Sequence, residues 1–146
     1  MDSQTLLVTD LDGTLWFDGE TCHPKSLLAF RALQERNIAI LVATGRRLRI
    51  VADSFNQFNW NIPCLLLNGS LCHDFAKDRT VFSVPFLNES SASILEIFRL
   101  HGLSPTVYAD DSFVYAKKPT TSNAHIDAIG KDLIPTNSLN VYERGL

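Results

Sequence analysis

Three apolar runs constrain this chain more than any other feature: Leu6 to Val8, Ile38 to Val42 and Pro63 to Leu67. None alternates with polar residues, which marks strands buried on both faces rather than half-exposed ones. Two stretches of helical character separate them. Pro24 suits a first helical turn, Leu27, Leu28, Phe30 and Leu33 recur at helical spacing, and Asn37 supplies a stop. Arg46 to Phe58 carries Leu48, Val51, Ala52 and Phe55 on one stripe before Asn59 to Pro63 breaks it. A β-α-β-α-β order with connections of this length predicts right-handed crossovers and a parallel sheet covered on both faces. The polar residues that end the strands then share one rim: Asp10 and Asp12, Thr44 and Gly45, Asn68 and Gly69. Ligands of open α/β sheets bind outside those carboxyl ends.

The texture changes after Gly69. Ser70 to Phe75 and Thr80 to Val84 flank the polar turn Ala76 to Arg79 and read as a hairpin. Pro85 to Asn88 marks a boundary, and Glu89 to His101 reads as an amphipathic helix carrying Ile94, Leu95, Ile97 and Phe98, stopped by Gly102. Thr106 to Tyr108 and Phe113 to Ala116 flank a second hairpin tip, with Tyr108, Phe113 and Tyr115 alternating as core-facing residues would. Ser122 to Leu133 reads as a weaker helix and Leu139 to Tyr142 as one more strand. The fold class is therefore α/β, with residues 1–84 forming a parallel-sheet module and residues 85–146 a second, α+β module.

Composition narrows the partners. The 146 residues carry a net charge of −3 and no basic excess, so nucleic acid is not expected and a small molecule is. The N-terminus has no basic region or long apolar stretch, and no window approaches the roughly 18 apolar residues of a membrane span. No membrane association and a cytoplasmic location are the expectation. The three cysteines, Cys22, Cys64 and Cys72, lack a Cys-x-x-Cys spacing and read as reduced thiols.

The chemistry concentrates in LLVTDLDGTL, Leu6 to Leu15, where two carboxylates follow a buried strand. One reading is a turn, with Thr14 as a helix cap. The rim position favours another, because two close carboxylates repel unless a cation neutralises them. With a main-chain carbonyl they suit Mg²⁺, a hard cation that prefers oxygen ligands, keeps waters and accepts substrate phosphate. Asp10 is then a candidate nucleophile toward phosphorus, and Asp12 a candidate acid toward the leaving oxygen and base toward water. Thr44 would hold a phosphoryl oxygen, helped by backbone N–H groups where the second helix begins, Gly45 among the rim residues. Arg46 is a candidate phosphate contact, whereas Arg47 and Arg49 read as surface charge. Asn68 is a candidate substrate contact or loop-orienting residue, against a plain turn role in which Asn-Gly supplies positive φ. Trp16 and Phe17, just beyond the carboxylates, read as aromatic packing near the entrance.

LLVTDLDGTL and IAILVATGRR together resemble the first two motifs of the haloacid dehalogenase superfamily, an apolar strand followed by DxDGT and an apolar strand ending in Thr or Ser. With LLLNGS at the third strand end, the pattern looks like the Cof-type phosphatase branch. The resemblance implies a Rossmann-like core with an inserted α/β cap after the third strand. It implies Asp10 as nucleophile, Asp12 as general acid/base, Thr44 as the phosphate-binding hydroxyl, and Mg²⁺ held by Asp10 and the backbone of Asp12. The implied activity is hydrolysis of a small phosphorylated metabolite through an aspartyl-phosphate, with a sugar phosphate as first guess.

The superfamily's later lysine and GDxxxD-like acidic motifs have no counterpart here. Lys117, Lys118 and Lys131 sit in hairpin or weak-helix context, and Asp110-Asp111 reads as a solvated hairpin tip. The expectation is the front part of a longer phosphatase, ending within its cap. Otherwise Leu6 to Val8 would form an exposed apolar edge that invites self-association. Two alternatives stay open at this level: a catalytically incomplete binding or regulatory fragment, and a phosphomutase that returns the phosphoryl group to its substrate.

Overall fold

The computed structural model describes residues 5–18, 21–103, 105–109, 114–116, 129–130 and 133–135. The chain divides into two compact units, Met1–Pro85 and Phe86–Leu146. The first follows β1 (Leu6–Thr9), α1 (Pro24–Glu35), β2 (Ala39–Ala43), α2 (Leu48–Phe58), β3 (Pro63–Leu66), β4 (Leu71–Asp74) and β5 (Arg79–Ser83). These strands form one sheet in the order β1-β2-β3-β4-β5. β1 pairs parallel to β2 from Leu6↔Ala39 to Thr9↔Val42, and β2 pairs parallel to β3 at Val42↔Cys64 and Ala43↔Leu65. β4 turns back antiparallel on β3, and β5 completes the hairpin.

Local signals place the helix ends. Proline begins α1 where its missing N–H costs nothing, and the His23 imidazole Nδ1 accepts the Lys25 N–H at 3.1 Å. Asn37, at φ 56°, reverses the chain after α1, and the Ile38 N–H closes back on the Leu33 carbonyl at 3.0 Å. Asn59, at φ 54°, ends α2 in the same way, with the Trp60 N–H on the Phe55 carbonyl at 2.9 Å.

Burial alternates along β2 and β3, with Ile40, Val42, Cys64 and Leu66 buried and Leu41 and Leu65 only partly so, a pattern of one well-covered face rather than the two that the apolar runs suggest. Parallel strands in simple chain order put both helices on one side when their crossovers have the usual right hand. Phe30 of α1 stacks on Trp60 at 4.5 Å between ring centroids, and Phe55 of α2 meets the same indole edge-on at 5.2 Å. Ile40, Val42, Cys64 and Leu66 lie buried in the same cluster. A large side chain buried in such a cluster contributes about 1.5–3 kcal/mol.

β1 is the exposed apolar edge anticipated for Leu6 to Val8 where no further core strand pairs with it. It is the sheet's edge rather than a strand buried on both faces, and Leu6 and Val8 are 56% and 53% exposed. Absence of alternation signals burial only where both faces and both neighbours are covered. Among the described residues β1 has one strand neighbour, β2.

In the second unit α3 (Asn88–Leu100) precedes β6 (Thr106–Tyr108), β7 (Val114–Ala116) and β8 (Leu133–Pro135). The strands lie in the order β6-β7-β8, the first pair antiparallel and the second parallel. Ser91, Leu95 and Phe98 form the more protected stripe of α3, whereas Ile94 and Ile97 are exposed. Val114 is the fully buried strand residue and Tyr108 is exposed, so the inward register is set by Val114 rather than by Tyr108. Leu133 begins a strand where a helix end was expected. The rest of that expected helix before Ile129, Phe113, and the strand expected at Leu139 to Tyr142 lie outside the described residues.

Candidate active site

The loop after β1 is folded around one carbonyl. The oxygen of Leu11 accepts the N–H groups of Thr14, Leu15 and Trp16 at 3.1, 2.9 and 2.7 Å, and the Leu11 side chain is fully buried beneath it. Gly13 supplies the reversal at φ 73°, a region costly for other residues, and donates its N–H to the Trp16 carbonyl at 2.7 Å. This winding holds the two aspartates at the rim. The Leu11 N–H donates to Asp10 Oδ1 at 2.7 Å, which orients an otherwise exposed carboxylate.

Asp12 is held from the neighbouring strand. Arg46 donates Nε–H to its Oδ2 at 2.8 Å and Nη2–H to its Oδ1 at 2.7 Å. The guanidinium carbon lies 5.1 Å from the centroid of the fully buried Trp16 ring. Hydrogen bonding from Arg46, reinforced by its charge and opposed by partial burial, holds the Asp12 carboxyl below its ordinary range. The side chains remain 30% and 46% exposed, so the pair contributes at most about 1 kcal/mol to stability.

The ends of β2 and β3 are laced together beside this pair. The Thr44 N–H donates to the Leu65 carbonyl at 2.9 Å, the Leu67 N–H to the Arg46 carbonyl at 3.0 Å, and the Asn68 N–H to the Thr44 carbonyl at 3.2 Å. The buried Thr44 hydroxyl accepts the Arg46 N–H at 3.2 Å. Leu67, Asn68 and Gly69 form a short 3-10 turn with φ values of 50°, 57° and 93°. A Cβ on Gly45 would stand 2.9 Å from Asn68 Oδ1, so the missing side chain is what lets the Asn68 amide lie against residue 45.

Direct contacts thus link Asp12 to Arg46, Arg46 to Thr44, Thr44 to Asn68 and Asn68 to Gly45, while Asp10 sits in the same loop as Asp12. Asn68 adopts the positive φ of a turn residue and also packs on Gly45. Arg47 is buried at 8% exposure and is not surface charge, because the turn into α2 directs it inward at the helix N-cap; Arg49 is exposed. Trp16 packs as its aromatic character suggests, and its place beneath Arg46 has no signal in sequence beyond its adjacency to the carboxylate loop. Among the described residues no group of three or more His, Cys, Asp or Glu side chains converges as a metal site would. A hollow of about 530 Å³ lined by Leu6, Asn37, Ile38 and Pro63 opens at the opposite, amino ends of the strands, away from these residues. Asp110, Asp111, Lys117, Lys118 and Lys131 lie outside the described residues.

No described helix is long and apolar enough to cross a membrane. The model of the haloacid dehalogenase-like hydrolase family matches residues 7–142. The Mycoplasma genitalium protein MG265 is 27% identical over 146 residues, covering 96% of this chain and 52% of its own length. The pyridoxal phosphate phosphatase YbhA of Escherichia coli is 24% identical over 110 residues, 75% of this chain and 40% of its own. The crystal structure of SMU.1108c from Streptococcus mutans superposes with a TM-score of 0.78 at 21% identity, covering 95% of this chain and 53% of that one, a likeness of fold. The chain spans about half the length of the curated relatives it matches. Matched over nearly all of its residues, and sharing the fold of such hydrolases, the chain belongs to the haloacid dehalogenase-like hydrolase family.

Proposed function

We propose that this chain is a Mg²⁺-dependent phosphatase acting on a small phosphorylated metabolite, with a sugar phosphate as the first class to try. The observation that carries the reading is the continuous contact from Asp12 through Arg46 to the Thr44 hydroxyl, which joins the loop after β1 to the end of β2 beside Asp10. A relative that acts on pyridoxal phosphate supports a small phosphorylated substrate. Residues 85–146 would be the cap module that selects it.

Asp10 presents a carboxylate whose Oδ1 is held by the Leu11 N–H, leaving Oδ2 to attack phosphorus. A P–O bond forms to Asp10 as the bond to the ester oxygen breaks, and Asp12 gives that oxygen a proton. Water then attacks phosphorus, Asp12 takes its proton, and the aspartyl-phosphate bond breaks to release phosphate and restore Asp10. The Thr44 hydroxyl would donate to a phosphoryl oxygen throughout. Arg46 favours the carboxylate form of Asp12, the form that serves the second half-reaction, so the proton for the first is loaded against that charge.

The donor chemistry fits Mg²⁺ in part. The Asp10 carboxylate and the Asp12 main-chain carbonyl would hold it, with waters and substrate phosphate completing the shell. The Asp12 carboxylate oxygens are both engaged by Arg46. When bound, the ion would neutralise charge on the phosphoryl group. The test is release of phosphate from a generic aryl phosphate, with Mg²⁺ or with a chelator. Turnover that needs Mg²⁺ and is lost in Asp10→Asn is expected; equal turnover by Asp10→Asn would sink the assigned nucleophile.

A further inference from the structure

We propose that Arg46 is a positioning residue. With Trp16 as its platform, it fixes the Asp12 carboxylate in the orientation its proton transfers need, and it is not a ligand of the transferring phosphoryl group. The inference rests on the phosphatase reading for what Asp12 does, but the clamp itself rests on geometry.

Both oxygens of Asp12 are bound by the two-pronged guanidinium at 2.7 and 2.8 Å, which fixes the carboxylate's position and the rotation of its plane. The two N–H groups that make those bonds cannot also bind phosphate, so a substrate would meet only the remaining guanidinium donors unless it broke the pair. The platform travels with the loop. Trp16 is fully buried, and its main-chain N–H and carbonyl are tied to Leu11 and Gly13 within the same turn that carries Asp12. The ring therefore holds the guanidinium face at 5.1 Å in a frame that moves only as Asp12 moves. From the other side, the Arg46 N–H is bound to the Thr44 hydroxyl, so the residue proposed to hold a phosphoryl oxygen and the one proposed to move protons share one support. An arginine is suited to this and a lysine is not, because an ammonium has neither the fork nor the flat face.

The test uses the whole chain with Arg46→Lys, Arg46→Ala and Asp12→Ala, and its first readout is independent of turnover. The ¹⁵N-coupled Nε–H resonance of Arg46, identified by its loss in Arg46→Lys, should shift or exchange faster in Asp12→Ala. It should hold its position during titration with inorganic phosphate that moves the Gly45 amide. An Nε–H that ignores Asp12→Ala, or one that phosphate displaces, overturns the clamp. On an aryl phosphate, Arg46→Lys should lower kcat about tenfold or more with KM within about twofold, as misplacement of a reacting group does. A raised KM with kcat kept would mark a phosphate ligand, and a lower Tm with both constants unchanged would mark a mere staple of the fold; either overturns the proposal. A chain without turnover or a Gly45 response retires the phosphatase reading and the clamp's purpose with it, whereas an unmoved Nε–H in an active chain retires the clamp alone.

Discussion

Gly45→Ala is the substitution whose effect follows most directly from the geometry. The new methyl would stand 2.9 Å from Asn68 Oδ1, closer than carbon and oxygen ordinarily approach. Relief requires the exposed Asn68 amide to turn away about its side-chain torsions, because its backbone stays fixed by the N–H on the Thr44 carbonyl at 3.2 Å and by φ 57°. Forcing that side chain out of its preferred rotamer costs about 0.5–1.5 kcal/mol, or roughly 2–5 °C in Tm for a chain of this size. Asn68→Gly removes the obstructing amide and suits the positive φ, so in that background Gly45→Ala should cost no more than about 0.5 kcal/mol. The double-mutant cycle should therefore show a positive coupling of about 0.5 kcal/mol or more. Urea unfolding followed by tryptophan fluorescence reports it well, because Trp16 and Trp60, the two tryptophans of the chain, are both buried in the first unit. An equal cost of Gly45→Ala in both backgrounds would refute the contact between the ends of β2 and β3.

Further outcomes follow from the core, the thiols, the ion pair and the open edge. Phe30→Ala removes the ring stacked on Trp60 and should destabilise the first unit by about 3–5 kcal/mol in the same urea assay. Burial, with Cys72 nearby, pushes the Cys64 thiol up to about 12, so the folded chain holds that proton more tightly than the unfolded chain. Its contribution to stability is full below the ordinary thiol range and is lost as pH rises toward about 12; a thiol reagent should label Cys64 slowly in buffer and fast in urea. Asp12 has a lowered folded pKa, so its contribution is present above the ordinary carboxylate range and is lost as pH falls through it. That contribution should be below about 1 kcal/mol, sensitive to salt, and absent in Arg46→Ala by acid titration of Tm. Val8→Lys puts a charge on the exposed edge strand, and sedimentation should show less concentration-dependent association than in the parent chain.

The alternation of strands and helices was legible because each signal is local: Pro24 opens α1, Asn37 and Asn59 reverse the chain, and Asn68-Gly69 turns it after β3. The rim was legible for the same reason, since strand ends in a parallel sheet fall on one side. What sequence could not supply was whatever depends on neighbours distant along the chain. The apolar run Leu6 to Val8 taken alone reads as doubly buried, because such a run does not say whether its strand is central or at an edge; its edge position was legible only through the strand order that the resemblance implies. Arg46 and Arg47 are adjacent and alike in sequence, yet one reaches across to Asp12 and the other is buried, a difference set by the turn into α2. Tyr108 and Val114 show the same dependence in the second unit, where a register one residue away changes which side chain faces inward.

The central claim is that Asp10 carries the phosphoryl group, and chemical trapping during turnover tests it most directly. The chain is mixed with an aryl phosphate and Mg²⁺, quenched, reduced with borohydride and read by peptide mass spectrometry, which converts an acyl phosphate on aspartate to homoserine. Homoserine at position 10, and none in Asp10→Asn, is the expected result. Conversion at another carboxylate, or phosphate release with no trapped residue at Asp10, would contradict it.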